Sequence, residues 1–359
     1  MVHEAGTQFL RKIDKSNRGI SERLMTLCYW EKPDISNVVV GSRLTEMAGW
    51  RWPPRAVMVV AVGICRKMGV ARYLVLEMSA GAEVDLFWQR QWRVPVNLNR
   101  KEASLAAEGL ASLGVDNTRP VMSFLTRNAE YLLKSINDPG ARHAYRECRI
   151  EYYQEAIETS IAQGFQCVRV GRYNNDRIER HIPRYVDYSH SAVRSDVMDL
   201  ALAVRTDILV TCSSGLDSLY HLLGKPLVGV NVFYLDGRFS NYVTCLPKRM
   251  FVMDGSRRHE LPVIAAVSKD FAVGPTHHTF MGTEVIFEEN SPEEITEAVS
   301  FAIRLVQEDR YREECEAQVA PLWQEFNAML PSSNLPIAYK QSFPSFGLPP
   351  SVIGRFLTA

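Results

Sequence analysis

A chain of 359 residues is longer than one hydrophobic core usually organises, so two domains are expected. Apolar residues make up 46% and charged residues 23%, an ordinary globular balance that excludes a disordered or fibrous chain. Basic and acidic side chains number 41 each, so the basic excess of a nucleic-acid binder is missing.

Residues 1–50 show little periodicity beyond a helix expected around Ser21–Trp30, and Trp50–Pro54 breaks the pattern. Ala56–Gly63 and Tyr73–Met78 read as strands. Glu102–Leu113 places Ala103, Leu105, Ala106, Leu110 and Leu113 at helical spacing, and Gly114 stops it. Asp116–Pro120 reads as a linker, giving a boundary at residue 118. Val121–Leu125 is a strand, followed by Thr126-Arg127-Asn128 and a polar loop to about Gly140. Arg149–Gln163 is helical and closed by Gly164; Gln166–Val170 is the next strand, ending at Gly171-Arg172. Tyr185–Tyr188 is a short strand, and Asp196–Val204 an amphipathic helix capped by Ser195 or Asp196.

Asp207–Asn231 then forms a βαβ unit: strand Ile208–Cys212, turn Ser213-Ser214-Gly215, helix Leu216–Leu223, a stop at Gly224 and strand Leu227–Val232. Residues 234–280 read as irregular apart from a strand-like Met250–Met253. The basic pairs Lys248-Arg249 and Arg257-Arg258 are expected to be solvated. Glu284–Phe287 is a strand, and Ser291-Pro292-Glu293-Glu294 is a capping box opening a helix to about Gln307. One more helix spans about Arg310–Met329, before a Pro-rich loop through Pro350 and a short apolar tail. Strands alternating with helices over 121–232 indicate an α/β fold with a parallel sheet covered on both faces.

Seven dispersed cysteines without CxxC spacing suit a reducing compartment, and Cys167 and Cys212, inside apolar runs, read as small core residues. Ala56–Cys65 is too short to cross a bilayer and the first 20 residues lack a signal segment. A cytoplasmic protein without a transmembrane segment is expected.

Ligands of open parallel sheets bind at the carboxyl ends of the strands. Those ends here carry Arg127-Asn128, Gly171-Arg172, Ser213-Ser214-Gly215 and the segment after Asn231. Glycine admits close approach, serine supplies hydrogen bonds, and arginine makes charge-assisted contacts, a set that suits a diphosphate. The Ser-Ser-Gly turn at a helix start favours an anion, though a serine N-cap alone would account for it. Arg127 follows its strand directly and is the leading candidate to stabilise a departing phosphate; the alternative is a surface arginine paired with Glu130 or another local acid. Asp196 and Asp199 sit in the first turn of their helix, either capping it or reaching a nucleotide. No zincin, P-loop lysine, GxGxxG or GxSxG pattern occurs, and no metal ligand set is expected from His277-His278 or His259-Glu260.

The segments RPVMSFLTRNAEYL (Arg119–Leu132), YRECRIEYYQEAIETSIAQGFQCVRVG (Tyr145–Gly171), RSDVMDLALAVRTDILVTCSSGLDS (Arg194–Ser218), EENSPEEI (Glu288–Ile295) and IGRFL (Ile353–Leu357) together resemble a family of bacterial glycosyltransferases. The resemblance covers roughly residues 119–357. It implies a GT-B architecture, two Rossmann-like domains with parallel sheets facing a cleft: an acceptor-side domain over 1–118, a donor domain over 119–340 and a tail, 341–359, packing back on the first domain. The family's first motif looks like His-x-Arg-Asp, distantly reminiscent of GDP-fucose-dependent transferases. Here it is Leu125-Thr126-Arg127-Asn128, which keeps the arginine and replaces both titratable neighbours. The resemblance implies transfer of a sugar from a nucleotide-diphosphate-sugar donor to an acceptor hydroxyl or amine, without metal or cofactor. Arg127 would be catalytic, and Gly171, Arg172, Ser213, Ser214, Gly215, Ser218, Asp196 and Asp199 would bind the donor. A sugar-nucleotide epimerase of the same fold, or a non-catalytic sugar-nucleotide-binding protein, are the other readings.

Overall fold

The computed structural model describes residues 98–128, 130, 144–172, 175–232, 242–268, 270–273, 277–329 and 347–357. The helix and two strands expected before residue 98, and most of the expected acceptor-side domain, lie outside the described residues.

Six parallel strands form the central sheet: β1 (Val121–Leu125), β2 (Gln166–Val170), β3 (Tyr185–Asp187), β4 (Ile208–Thr211), β5 (Leu227–Val232) and β6 (Tyr242–Pro247). Their spatial order is β3-β2-β1-β4-β5-β6. This is the doubly wound, Rossmann-like order, in which the chain reverses its direction of travel between β1 and β4. Every residue of β1, β2, β4 and β5 is buried, as strands covered on both faces must be. The apolar runs in the sequence therefore coincide with these strands almost residue for residue.

Helices cover both faces. On one side, α1 (Arg100–Ser112), α3 (Asp196–Arg205) and α4 (Asp217–Leu222) pack together, with Gly109 allowing Met198 to lie against the α1 backbone. On the other, α2 (Gln154–Ala162) packs against α5 (Pro292–Gln307), which also lies on β5 and β6. The helix α1 belongs to this packed unit although the sequence places it before the boundary at residue 118. The expected helix Arg149–Gln163 starts late, because Ile150–Tyr153 forms a 3₁₀ turn before α2. The capping box is present: Ser291 accepts from the Glu294 amide at 3.2 Å and Glu294 accepts from the Ser291 amide at 2.9 Å.

Where it is described, the segment read as irregular is largely strand. It contributes β6 to the central sheet, and β7 (Arg249–Asp254), β8 (Arg257–Leu261), β9 (Phe271–Val273) and β10 (His278–Phe280) to two small antiparallel sheets. The expected strand Glu284–Phe287 is split into β11 (Thr283–Glu284) and β12 (Ile286–Glu288), which join different sheets. A satellite cluster around Met250, Ala266 and Val285 fills the space beneath these hairpins.

The long helix α6 (Asp309–Met329) follows α5, and the tail forms α7 (Pro350–Leu357). Gly347 makes a parallel bridge to Thr244 of β6, and Leu348 and Val352 are buried in the main core. Arg355 pairs with Glu294 at 3.0 Å and donates to the Pro247 carbonyl at 3.3 Å. The described tail thus packs on the sheet unit; the N-terminal residues it was expected to cover lie outside the described residues. Among the described residues no helix is long and apolar enough to cross a membrane.

Candidate functional site

The switch point between β1 and β4 positions the site, because the connections leaving these neighbouring strands diverge to opposite faces. Three consecutive residues at the end of β1 have three different fates. Thr126 is buried and accepts from Arg169 at 2.9 Å. Asn128 donates to Asn175 at 2.9 Å and to Asp176 at 3.2 Å. Arg127 is half-buried, and its guanidinium makes no hydrogen bond or ion pair among the described residues, so the expected alternative of a pair with Glu130 is not formed. Burial, and next the charge of Arg146, lower the pKa of Arg127.

Beneath Thr126 and Asn128 lies a compensated charge network. Arg169 of β2 is fully buried, with Asp176 at 2.6 Å and Asp187 at 3.5 Å. Burial works against the Asp176 carboxylate, yet Arg169 and the Ile150 amide hold it below its ordinary range. Leu125, where the resembled family has histidine, is 2% exposed. Positions 125 and 128 are structural here: one is core and the other fastens the 175–176 segment.

The strap Tyr145–Cys148 crosses the switch point. Arg146 donates to the Ser213 carbonyl, the Cys148 amide donates to the Arg127 carbonyl at 2.9 Å, and buried Lys248 donates its Nζ to the Glu147 carbonyl. Lys248, expected to be solvated, is 5% exposed because β6 ends at Pro247 and delivers the next residue inward. Its companion Arg249 is half-buried in a two-bond pair with Glu260 at 2.9 and 2.6 Å. Arg127, Arg146 and Lys248 thus gather about one strap with no carboxylate bonded to any of them among the described residues. Glu147 acts on two of them: burial raises its carboxyl pKa, against the charges of Arg127 and Lys248.

The Ser-Ser-Gly turn differs from the expected open cradle. Ser213 takes the left-handed conformation (φ 62°), and its amide donates to Thr211 Oγ1 at 3.2 Å. The Ser214 amide donates to Asp217 Oδ2 at 3.0 Å, and Asp217 itself is buried. The chain's own carboxylate therefore occupies one of the amides expected to face an anion. Gly215 is exposed and Ser218 half-buried at the start of α4.

Gly171 ends β2 with φ 126°, a conformation that side-chain-bearing residues avoid. Arg172 is exposed beside it and acts electrostatically on Asp199. Asp196 and Asp199 lie in the first turn of α3, whose N-cap is Ser195. Asp199 accepts from the Tyr188 hydroxyl at 2.7 Å, and burial raises its pKa. These acids follow β3, two strands from β1 and roughly 10 Å across the sheet at ~4.8 Å per strand. The structure therefore joins Arg127 to the Ser213 turn through the Tyr145–Cys148 strap, and leaves Arg172, Asp196 and Asp199 toward the β3 edge.

Arg146, Glu147, Lys248 and Arg169 were not legible as site residues. Lys248 had the available signal, a cation directly after a strand end, hidden by the reading of 234–280 as irregular. Among the described residues no group of three or more His, Cys, Asp or Glu side chains is arranged to hold a metal ion. No family model matches the chain, and no curated protein or solved structure matches it.

Proposed function

We propose that this protein binds a nucleotide-diphosphate-sugar at the β1/β4 switch point and transfers its sugar to an acceptor as a GT-B-type glycosyltransferase. The observation that carries the reading is the group of three cations, Arg127, Arg146 and Lys248, none bonded to a carboxylate among the described residues. A diphosphate supplies the missing negative charge, and fixed guanidinium groups stabilise it as it departs. In this reading Arg127 faces the leaving diphosphate, Arg146 and Lys248 share its charge, and Ser213, Ser214, Gly215 and Ser218 border it. The acceptor and its general base belong to residues before 97.

One observation favours a second reading, a binding protein without transfer. Leu125 and Asn128 are absorbed into the core and the Asp176 network, so this motif offers no proton-transfer group.

Thermal shift against UDP, GDP, dTDP and CMP conjugates tests binding, since a ligand of the folded state raises the melting temperature. Arg127→Ala is expected to weaken the best nucleoside diphosphate by about 1.5–3 kcal/mol, the worth of a charged hydrogen bond. A donor panel with and without acceptors then separates transferase, epimerase and binder. If no nucleoside diphosphate binds, or Arg127→Ala is silent, the donor site is wrong.

A further inference from the structure

Lys248 owes its inward direction to a joint one residue long. β6 ends at Pro247 and β7 begins at Arg249, so Lys248 alone carries the chain from the central sheet into a small one. Its amide donates to the Val232 carbonyl at 2.9 Å and its Nζ to the Glu147 carbonyl. A lysine stem rotates about four bonds, so the direction it takes depends on a backbone that is held still.

Both neighbours of Lys248 are tied to one residue of the C-terminal helix. Arg355 of α7 donates to the Pro247 carbonyl at 3.3 Å. It also stands 3.7 Å from Glu260, the acid that grips Arg249 through bonds of 2.9 and 2.6 Å. A third contact, to Glu294 at 3.0 Å, fastens the same guanidinium to the first turn of α5. Glu294 is held in turn, because its other oxygen accepts from the Ser291 amide at 2.9 Å. A planar guanidinium fork serves several partners at once, where an ammonium is a single point of charge. The tail has anchors enough without this one. Leu348 and Val352 lie in the main core, Gly347 bridges Thr244, and the Ser351 hydroxyl donates to Glu297. Attachment alone therefore does not call for a guanidinium desolvated at the corner between β6 and β7, which carries a cost.

We propose that Arg355 is a positioning residue for the anion site: by holding Pro247 and Arg249 it aims Lys248 at the Tyr145–Cys148 strap. The C-terminal helix is then part of the binding apparatus and not only a cover for the β6 edge. Without Arg355 the Pro247 carbonyl keeps Asn290 as its partner, and Glu260 keeps Arg249, but nothing joins the two flanks. The joint can then turn Lys248 toward solvent. The effect on ligand binding rests on the diphosphate site proposed above; the effect on Lys248 does not.

The test compares the full chain with Arg355→Ala and Ser351→Ala. Amines are acetylated under native conditions and the modified lysines are mapped by mass spectrometry. Lys248 is expected to react slowly in the parent and about tenfold faster in Arg355→Ala, through local opening of the joint. Ser351→Ala, which loosens the tail away from the joint, should leave Lys248 protected. Lys225, whose Nζ donates to the Val204 carbonyl at 2.7 Å, reports any general loosening and should not change. Unchanged Lys248 labelling in Arg355→Ala, a parallel rise at Lys225, or an equal rise in Ser351→Ala overturns the proposal. Affinity for inorganic pyrophosphate is then measured by calorimetry in the parent, Arg355→Ala, Lys248→Met and the double variant. Arg355→Ala is expected to weaken binding about three- to fivefold in the parent and to add nothing to Lys248→Met. No loss in the parent, or equal losses in both backgrounds, overturns the action on the ligand. If the parent does not bind pyrophosphate, the diphosphate reading fails while the Lys248 labelling still decides the positioning.

Discussion

Arg127 and Arg169 stand at neighbouring places in the sheet and differ in one respect that decides their use. Arg169 is fully buried and surrounded by Asp176, Asp187 and Thr126, so its charge is spent on joining strand ends. Removing a partner from such a buried pair costs several kcal/mol, which marks it as structural. Arg127 is desolvated without that compensation, and is therefore available to a ligand. Glu147 modulates this cation group. Its folded-state pKa is raised, so its contribution to stability is full below the ordinary glutamate pKa and is lost as pH rises through the raised value. Glu147→Gln is expected to open a stability advantage over the parent as pH rises from 4 to 8, measured by melting temperature. It should also tighten diphosphate binding at neutral pH, with solvent screening holding the gain to roughly two- or threefold. The sequence exposed Arg127 through its place after a strand. It concealed Arg169, because an arginine inside Gln166–Val170 becomes a network centre only when Asp176 and Asp187 fold over it.

Among the elements, the join between β5 and α5 shows how a loop end is fixed without a turn motif. Asn231, next to last in β5, takes the left-handed conformation (φ 57°), and its amide and side chain exchange bonds with Asn290 at 2.8 and 2.7 Å. Asn290 also donates to the Pro247 carbonyl at 2.9 Å, and Asn231 to the Tyr153 hydroxyl at 3.0 Å. All of these groups are buried, so Asn290→Ala leaves the Asn231 amide without a partner and the Pro247 carbonyl with Arg355 alone. A loss of about 2–3 kcal/mol is expected in denaturant unfolding, more than a surface cap would give. The helices and strands over 121–232 and 291–329 were legible because their apolar periodicity and caps are local. β6 was not: Tyr242–Pro247 mixes polar residues and a proline, and it becomes a buried strand through pairing with β5. Gly229 allows that pairing, since a Cβ there would stand 2.6 Å from the Tyr242 ring. Such a contact depends on tertiary neighbours that no local pattern records.

For the whole described unit, the strand order and the shielded β6 edge are the defining features. The alternation of elements implied a parallel sheet, and the order β3-β2-β1-β4-β5-β6 places its switch point beside Arg127. The role of the tail was not legible, because a Pro-rich segment and eight apolar-tailed residues reveal no partner until Thr244 and Glu294 are in place. Deleting residues 347–359 is expected to cost roughly 3–6 kcal/mol, from losing the burial of Leu348 and Val352 at about 1.5–3 kcal/mol each. A lower urea midpoint checks this. The three cations at the switch point have a further consequence, which is kinetic. A cluster of partly buried positive charges attracts anions over about a Debye length, ~8 Å at physiological ionic strength. Small anions such as phosphate or sulfate would compete for the same field. Capture of the proposed diphosphate here would therefore depend on the ionic medium as well as on fit, and its association rate is expected to fall steeply as salt is added.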